Sequence, residues 1–254
     1  MSDDLAPTAL TSKLPACSEE WIVPIVATAA WSIPKTVAGR FPETGSGLAR
    51  YAAVFSGVEV NSTFYRRHKP STFVRWADSV PDSFRFAVKM PKEISHVRRL
   101  KGIEDAFRLF TEDISHLGPK LGPVLCQLPP SLAFDEDVTK QALDVMRSNH
   151  SGQIVIEVRH RSWASEAALS LLERHEVGRV LADSPLVWTA ESFTHCSPYV
   201  RLHGSPKIYY SSYSEDSIRA YTERLGEDSW CVFDNTASGA AIENALTMLS
   251  MLQN

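Results

Sequence analysis

The chain has few cysteines and no long apolar run, carries no marked excess of charge, and contains none of the common nucleotide or nucleophile motifs. Its four cysteines, Cys17, Cys126, Cys196 and Cys231, lie far apart, and no two have metal-ligand spacing. A disulfide scaffold and a Cys-rich zinc site are therefore excluded, and reduced thiols suggest a cytoplasmic setting. The longest nearly apolar run, 22–31, is broken by Pro24 and is too short to span a bilayer, so no membrane partner is expected. A formal net charge of −4 gives no bulk attraction to nucleic acid or to an anionic surface. Gly45 and Gly47 do not follow a strand, so there is no phosphate loop or dinucleotide fingerprint, and no GxSxG elbow occurs. No linker, charge block or strong repeat divides the chain.

What remains is a regular alternation. Apolar runs at 22–28, 57–60, 84–89, 121–126, 153–158, 179–182, 198–202 and 229–233 are rich in Val, Ile, Leu, Phe and Ala. They read as strands of a parallel sheet covered on both faces. Helical periodicity fills the intervals: 46–56, 70–79, 102–117, 135–148, 163–175, 214–225 and 238–252. The stretch 183–197 shows no helical pattern. Eight strands alternating with about seven helices predict an α/β protein with a (β/α)₈ TIM-type barrel as a single domain over 20–254, behind a loosely ordered tail at 1–19. A doubly wound open sheet is the alternative, because hydrophobic pattern does not prove closure.

Polar residues gather where these strands end. VEVNSTFYRR at 58–67 delivers Glu59, Asn61 and Tyr65 and then turns basic. Since side chains alternate along a strand, Glu59 and Asn61 share a face, as do Glu157 and Arg159, and Arg201 and His203. Lys89, Gln127, Asp183 and Asn235 add one polar group from each of four other strands, and His96, His160, Trp163 and Tyr209 lie on the loops beyond. Among the lining residues the acids Glu59, Glu157 and Asp183 balance the bases Lys89, Arg159 and Arg201. Loop cations (Arg66, Arg67, Lys69, Lys92, Arg98, Arg99, Lys101, Arg161 and Lys207) then make the mouth basic, opposed only by Glu93 and Asp234. That segregation favours an anionic ligand.

The expected assignment is a small anionic substrate held by Lys89, Arg159 and Arg201. Asn61, Tyr65, Gln127, His160, Trp163 and Asn235 orient it, and Glu59, Glu157, Asp183 and His203 are the acid/base candidates. No metal and no cofactor is assigned; if a divalent ion were used, Glu157, Asp183 and His203 would hold it. Other readings stay open. Glu59 and Glu157 could cleave a glycosidic bond, and Lys89 could form a Schiff base or pair with a neighbouring acid. The charges could be a purely structural network. The basic loops with Tyr65, Trp163 and Tyr209 could bind nucleic acid, with or without cleavage, or the barrel could be a non-catalytic scaffold.

Six segments together resemble the YecE-like family, also called domain of unknown function 72: YAAVFSGVEVNSTFYR, RFAVKMPKEISH, QLPPSLAFD, IEVRHRSW, YVRLHG and FDNTASGAAIENA. The resemblance covers about Trp31 to Ala245 and implies a closed (β/α)₈ barrel. It implies no reaction, since shared architecture does not supply one. The family's opening Gly-rich turn is replaced here by ATAAW at 27–31, which would narrow any approach of ligand to the backbone. The closing Asp-Asn pair is kept as Asp234 and Asn235.

Overall fold

The structure, a computed structural model, describes residues 24–185, 187–193 and 196–253. The expected tail and Cys17 lie outside the described residues. Eight parallel strands alternate with helices: β1 Ile25–Thr28, β2 Gly57–Val60, β3 Arg85–Lys89, β4 Leu121–Gln127, β5 Ile154–Glu157, β6 Val177–Asp183, β7 Tyr199–Leu202 and β8 Trp230–Phe233. Hydrogen bonding runs β1-β8-β7-β6-β5-β4-β3-β2, the order of a sheet rolled into a (β/α)₈ barrel. The seam between β1 and β2 is bridged by a side chain. The Tyr51 hydroxyl accepts from the Thr28 amide at 3.0 Å and donates to the Gly57 carbonyl at 3.1 Å.

The helices are α1 Gly47–Ala52, α2 Ser62–Tyr65, α3 Pro70–Asp78, α4 Glu104–Ile114, α5 Glu136–Asn149, α6 Glu166–Arg174, α7 Glu215–Thr222 and α8 Ala240–Leu252. Their starts are written in the sequence. Ser46, Asp135, Ser165 and Ser214 each accept a backbone N–H from the first turn of α1, α5, α6 and α7 respectively. Pro70 supplies the fixed φ that opens α3. After β6, where periodicity predicts no helix, the described residues form a 3₁₀ turn at Ala190–Ser192. Among the described residues no helix is long and apolar enough to cross a membrane.

Two apolar layers result. The larger packs the outer faces of the strands against the helices. The smaller fills the barrel itself with Ala27, Ala87, Leu125, Val155, Val180, Tyr199, Trp230 and Val232. At the floor the Trp230 indole occupies space left by two glycines. A Cβ on Gly57 would lie 3.0 Å from the ring and 2.5 Å from Ile25, and one on Gly122 would lie 2.9 Å from the ring. Above Tyr199 the filling turns from apolar to charged, and that layer forms the candidate site.

Of the thiols, Cys126 and Cys231 are buried in the strands, whereas Cys196 is exposed. Burial pushes the Cys126 thiol up to about 12, so it is inert at neutral pH.

Candidate functional site

Arg201, on β7, points into the barrel centre and is fully buried. Its guanidinium makes a two-point contact with Glu59 of β2, Nη2 to Oε1 at 2.8 Å and Nε to Oε2 at 3.0 Å. It also reaches Glu157 of β5 at 2.6 Å and Asp234, just beyond β8, at 3.0 Å. Tyr199, two residues earlier on the same strand, donates its hydroxyl to Glu59 at 2.8 Å. A cation with three carboxylates around it satisfies the demand that buried charge be paired and hydrogen-bonded. Burial opposes the Arg201 charge, but Glu59, Asp234 and Glu157 outweigh it and lift its pKa well above the usual arginine value.

His203 forms the next layer. Its Nδ1 lies 2.9 Å from Asp234 and its Nε2 lies 3.2 Å from Glu157. Burial alone would discharge the ring; Glu157 and the bond to Asp234 win and raise its pKa above that of a free imidazole. Glu157 is the most heavily used group: its Oε1 also accepts from Gln127 at 2.8 Å and Arg159 at 2.9 Å. Burial pushes its carboxyl up, yet Arg201, His203 and Arg159 together hold it well below the carboxylate range. Ionised in this way, it serves as counter-ion to Arg201 and Arg159.

Two cations face the open side. Arg159 is bonded to Glu157 but keeps part of its side chain exposed, and Tyr209 lies against it. Lys89 ends β3 with its Nζ 4.5 Å over the Phe64 ring. Among the described residues no carboxylate lies within ion-pair distance of it, because Glu59, Glu157 and Asp234 are engaged with Arg201. Burial, reinforced by Arg201, brings the Lys89 pKa down to about 8. His96, on the loop after β3, is depressed by burial and by Lys89 and Arg159, so these three groups form one electropositive corner. Beside it, at the β1–β2 side of the mouth, an open depression of about 570 Å³ is lined by Trp31, Arg50, Glu59, Asn61, Arg66 and His68.

Residues 25–254 match the family described as protein of unknown function DUF72. The chain belongs to the DUF72 family. UPF0759 protein YecE of Escherichia coli K12 is 34% identical over 63% of this chain and 59% of its own length, so the matched part is about three fifths of YecE. UPF0759 protein YunF of Bacillus subtilis strain 168 is 25% identical over 83% of this chain and 89% of its own. A crystal structure of a DUF72 family protein from Thermotoga maritima superposes with a TM-score of 0.76 at 26% identity, covering 91% of this chain and all (100%) of that one.

In this DUF72 barrel the expected site is only partly assembled. Glu59, Lys89, Gln127, Glu157, Arg159, Arg201 and His203 converge, and Asn61 lies at the edge of the depression. Asp183 does not join them: its carboxylate lies against the Tyr213 and Tyr221 phenols, on the helix side of the sheet. The residues Glu157, Asp183 and His203 are thus not gathered around one point, and no His, Cys, Asp and Glu group among the described residues is arranged to hold a metal. Asn235 faces away from the barrel centre, donating to the Ser211 carbonyl and to Asn244 of α8. Trp163 is buried and donates to the Leu132 carbonyl, and His160 receives the Ser162 amide at the start of a 3₁₀ turn; both brace the loop after β5. Tyr65 is at the mouth but 72% exposed.

Asp234, expected only as a loop acid, is the group that replaces Asp183. Strand alternation holds the signal for both. Val180 and Ala182 point inward, so Asp183 points out; Trp230 and Val232 point inward, so Asp234 does too. The basic mouth is also weaker than composition suggests. Arg67 pairs with Asp113, Arg98 with Glu93, and Arg99 bonds Ser131, so these cations hold loops together. At the ATAAW segment Ala30 has φ 146°, in the region that favours glycine, so a strained alanine sits at the rim of the depression.

Proposed function

We propose that the protein is an enzyme acting on a small phosphate- or carboxylate-bearing substrate at the C-terminal mouth of the barrel. Arg159 and Lys89 hold the anion, and His96 and Asn61 border it. Glu59, Glu157 and Asp234 fix the cations in place. One observation carries this reading: Lys89 is a buried lysine without a carboxylate partner among the described residues, and it acts on the same His96 ring as the partly open Arg159. Burying an uncompensated cation is costly, and an arriving anion removes that cost. Hydrolysis of a phosphate ester, isomerisation and lyase chemistry all fit such a site.

The test is thermal unfolding of wild type and Arg159→Ala with sugar phosphates, dicarboxylates and short DNA and RNA, each with and without divalent metal ions. Ligand at about 100 times its Kd stabilises a fold by ~2.7 kcal/mol, roughly 5–10 °C for a chain of this size. A shift by one small-anion class, lost in Arg159→Ala, is expected. A flat panel counts against an anion site and favours a scaffold.

A second reading is supported by the exposure of Tyr65, Tyr209 and Tyr210 at the mouth, beside Arg66 and with Lys207 4.3 Å over the Tyr210 ring. Aromatic faces and cations together suit a nucleic-acid strand. In the same panel this reading predicts a shift with the oligonucleotides that falls steeply with salt.

A further inference from the structure

Lys89 combines features that an anion-holding role does not require. Among the described residues its amine has no acid partner, although three carboxylates lie in the same layer. It sits over an aromatic face rather than in water, with the residue 8% exposed, which leaves it sheltered but not sealed. Its backbone is fixed: β3 pairs with β2 and β4, and the Thr63 hydroxyl donates to the Lys89 carbonyl at 2.6 Å. Holding an anion uses the ammonium form and makes no demand on the amine's lone pair. Desolvation beside a second cation is instead the environment that frees an amine lone pair at neutral pH. The charged groups that act on Lys89 are Glu59 of β2, Glu157 of β5, Arg201 of β7 and Asp234 just beyond β8, while Lys89 and Arg159 both act on His96.

We propose that Lys89 is a carbonyl-trapping amine, its Nζ forming an imine with an aldehyde or ketone whose anionic group rests on Arg159. The inference rests on the anion site proposed above and narrows its substrate to carbonyl compounds. The neutral amine's lone pair attacks the carbonyl carbon, and the carbonyl electrons move to oxygen, which takes up a proton. The resulting carbinolamine loses the hydroxyl, protonated, as water. One amine, one carbonyl and one proton give one protonated imine and one water, so no oxidant or reductant is consumed. The protonated imine withdraws electrons from the adjacent carbon, which suits the lyase and isomerase chemistries left open above.

The experiment is reductive trapping. Wild type and Lys89→Arg are incubated at pH 8 with pyruvate, glyoxylate or dihydroxyacetone phosphate, reduced with cyanoborohydride and digested for mass spectrometry. Lactate, glycolate and glycerol phosphate, which lack the carbonyl, are measured in parallel by thermal shift with wild type and Arg159→Ala. At that pH a lysine of pKa about 8 has roughly one hundred times the neutral fraction of an ordinary one, so the adduct should concentrate at Lys89. It should be missing from Lys89→Arg, whose remaining lysines show only background labelling. If the carbonyl-free anions bind through Arg159 but Lys89 stays unlabelled, or is labelled no more than exposed lysines, the imine is wrong and the anion site stands. If neither set of compounds binds or labels, both readings fail.

Discussion

Replacing Lys89 by methionine should make the protein more stable at pH 7, and the gain should shrink as the pH rises. The native amine has a pKa of about 8 against 10.5 for a free lysine. The folded state therefore disfavours the charged form, an effect of ~3 kcal/mol. Below pH 8 the lysine is charged in the folded and unfolded states alike, and the cost to folding is complete. Between pH 8 and 10.5 the folded state is already neutral while the unfolded state is losing its proton, so the cost fades and is gone above 10.5. Methionine fills a similar volume and never carries the cost, but gives up the contact with the Phe64 ring, worth about 1 kcal/mol. The net expectation is a gain of ~2 kcal/mol at pH 7, falling by roughly that amount at pH 10. Urea unfolding of both proteins at the two pH values measures it, and other titrating groups cancel in the difference. A difference that does not change with pH, or a variant less stable at pH 7, would refute the claim that this lysine is buried without a partner.

Three further outcomes follow from the same geometry. Arg201→Met removes the cation shared by Glu59, Glu157 and Asp234, and should cost at least 3–5 kcal/mol in urea unfolding. Ala30→Gly relieves a φ of 146° and should hold or raise Tm, whereas an alanine-to-glycine change at an unstrained site lowers stability by about 0.5–1 kcal/mol; a loss of that size would show that Ala30 is not strained. Asp234→Asn should lower the His203 pKa followed by NMR, since the carboxylate bonded to Nδ1 is gone, while Asp183→Asn should leave that titration unchanged.

The fold was largely legible because parallel strands covered on both faces read as continuous apolar runs, and caps such as Ser46, Asp135, Ser165 and Ser214 mark where chain turns to helix. The seven converging side chains were legible for a similar reason: Glu59, Glu157 with Arg159, and Arg201 with His203 follow the alternation of their strands. The errors came at strand ends. Asp183 and Asn235 are each one residue out of phase with the inward series, and a one-residue difference sends a side chain to the opposite face. The pairing was less accessible. Sequence counts charges but does not say that Arg201 engages three acids while Lys89 engages none, and that allocation depends on how eight tilted strands bring their ends to one axis. Loop cations were overcounted for the same reason, as the partners of Arg67 and Arg98 are fixed only by folding.

Whether an anion binds between Arg159 and Lys89 is read from a crystal soaked in selenate, with the selenium located by its anomalous signal. A peak should lie within hydrogen-bond distance of the Arg159 guanidinium and the Lys89 amine and be absent from crystals of Arg159→Ala. Selenate found only on loop cations such as Arg66 or Arg161, with no peak between Arg159 and Lys89, would contradict an anion site there.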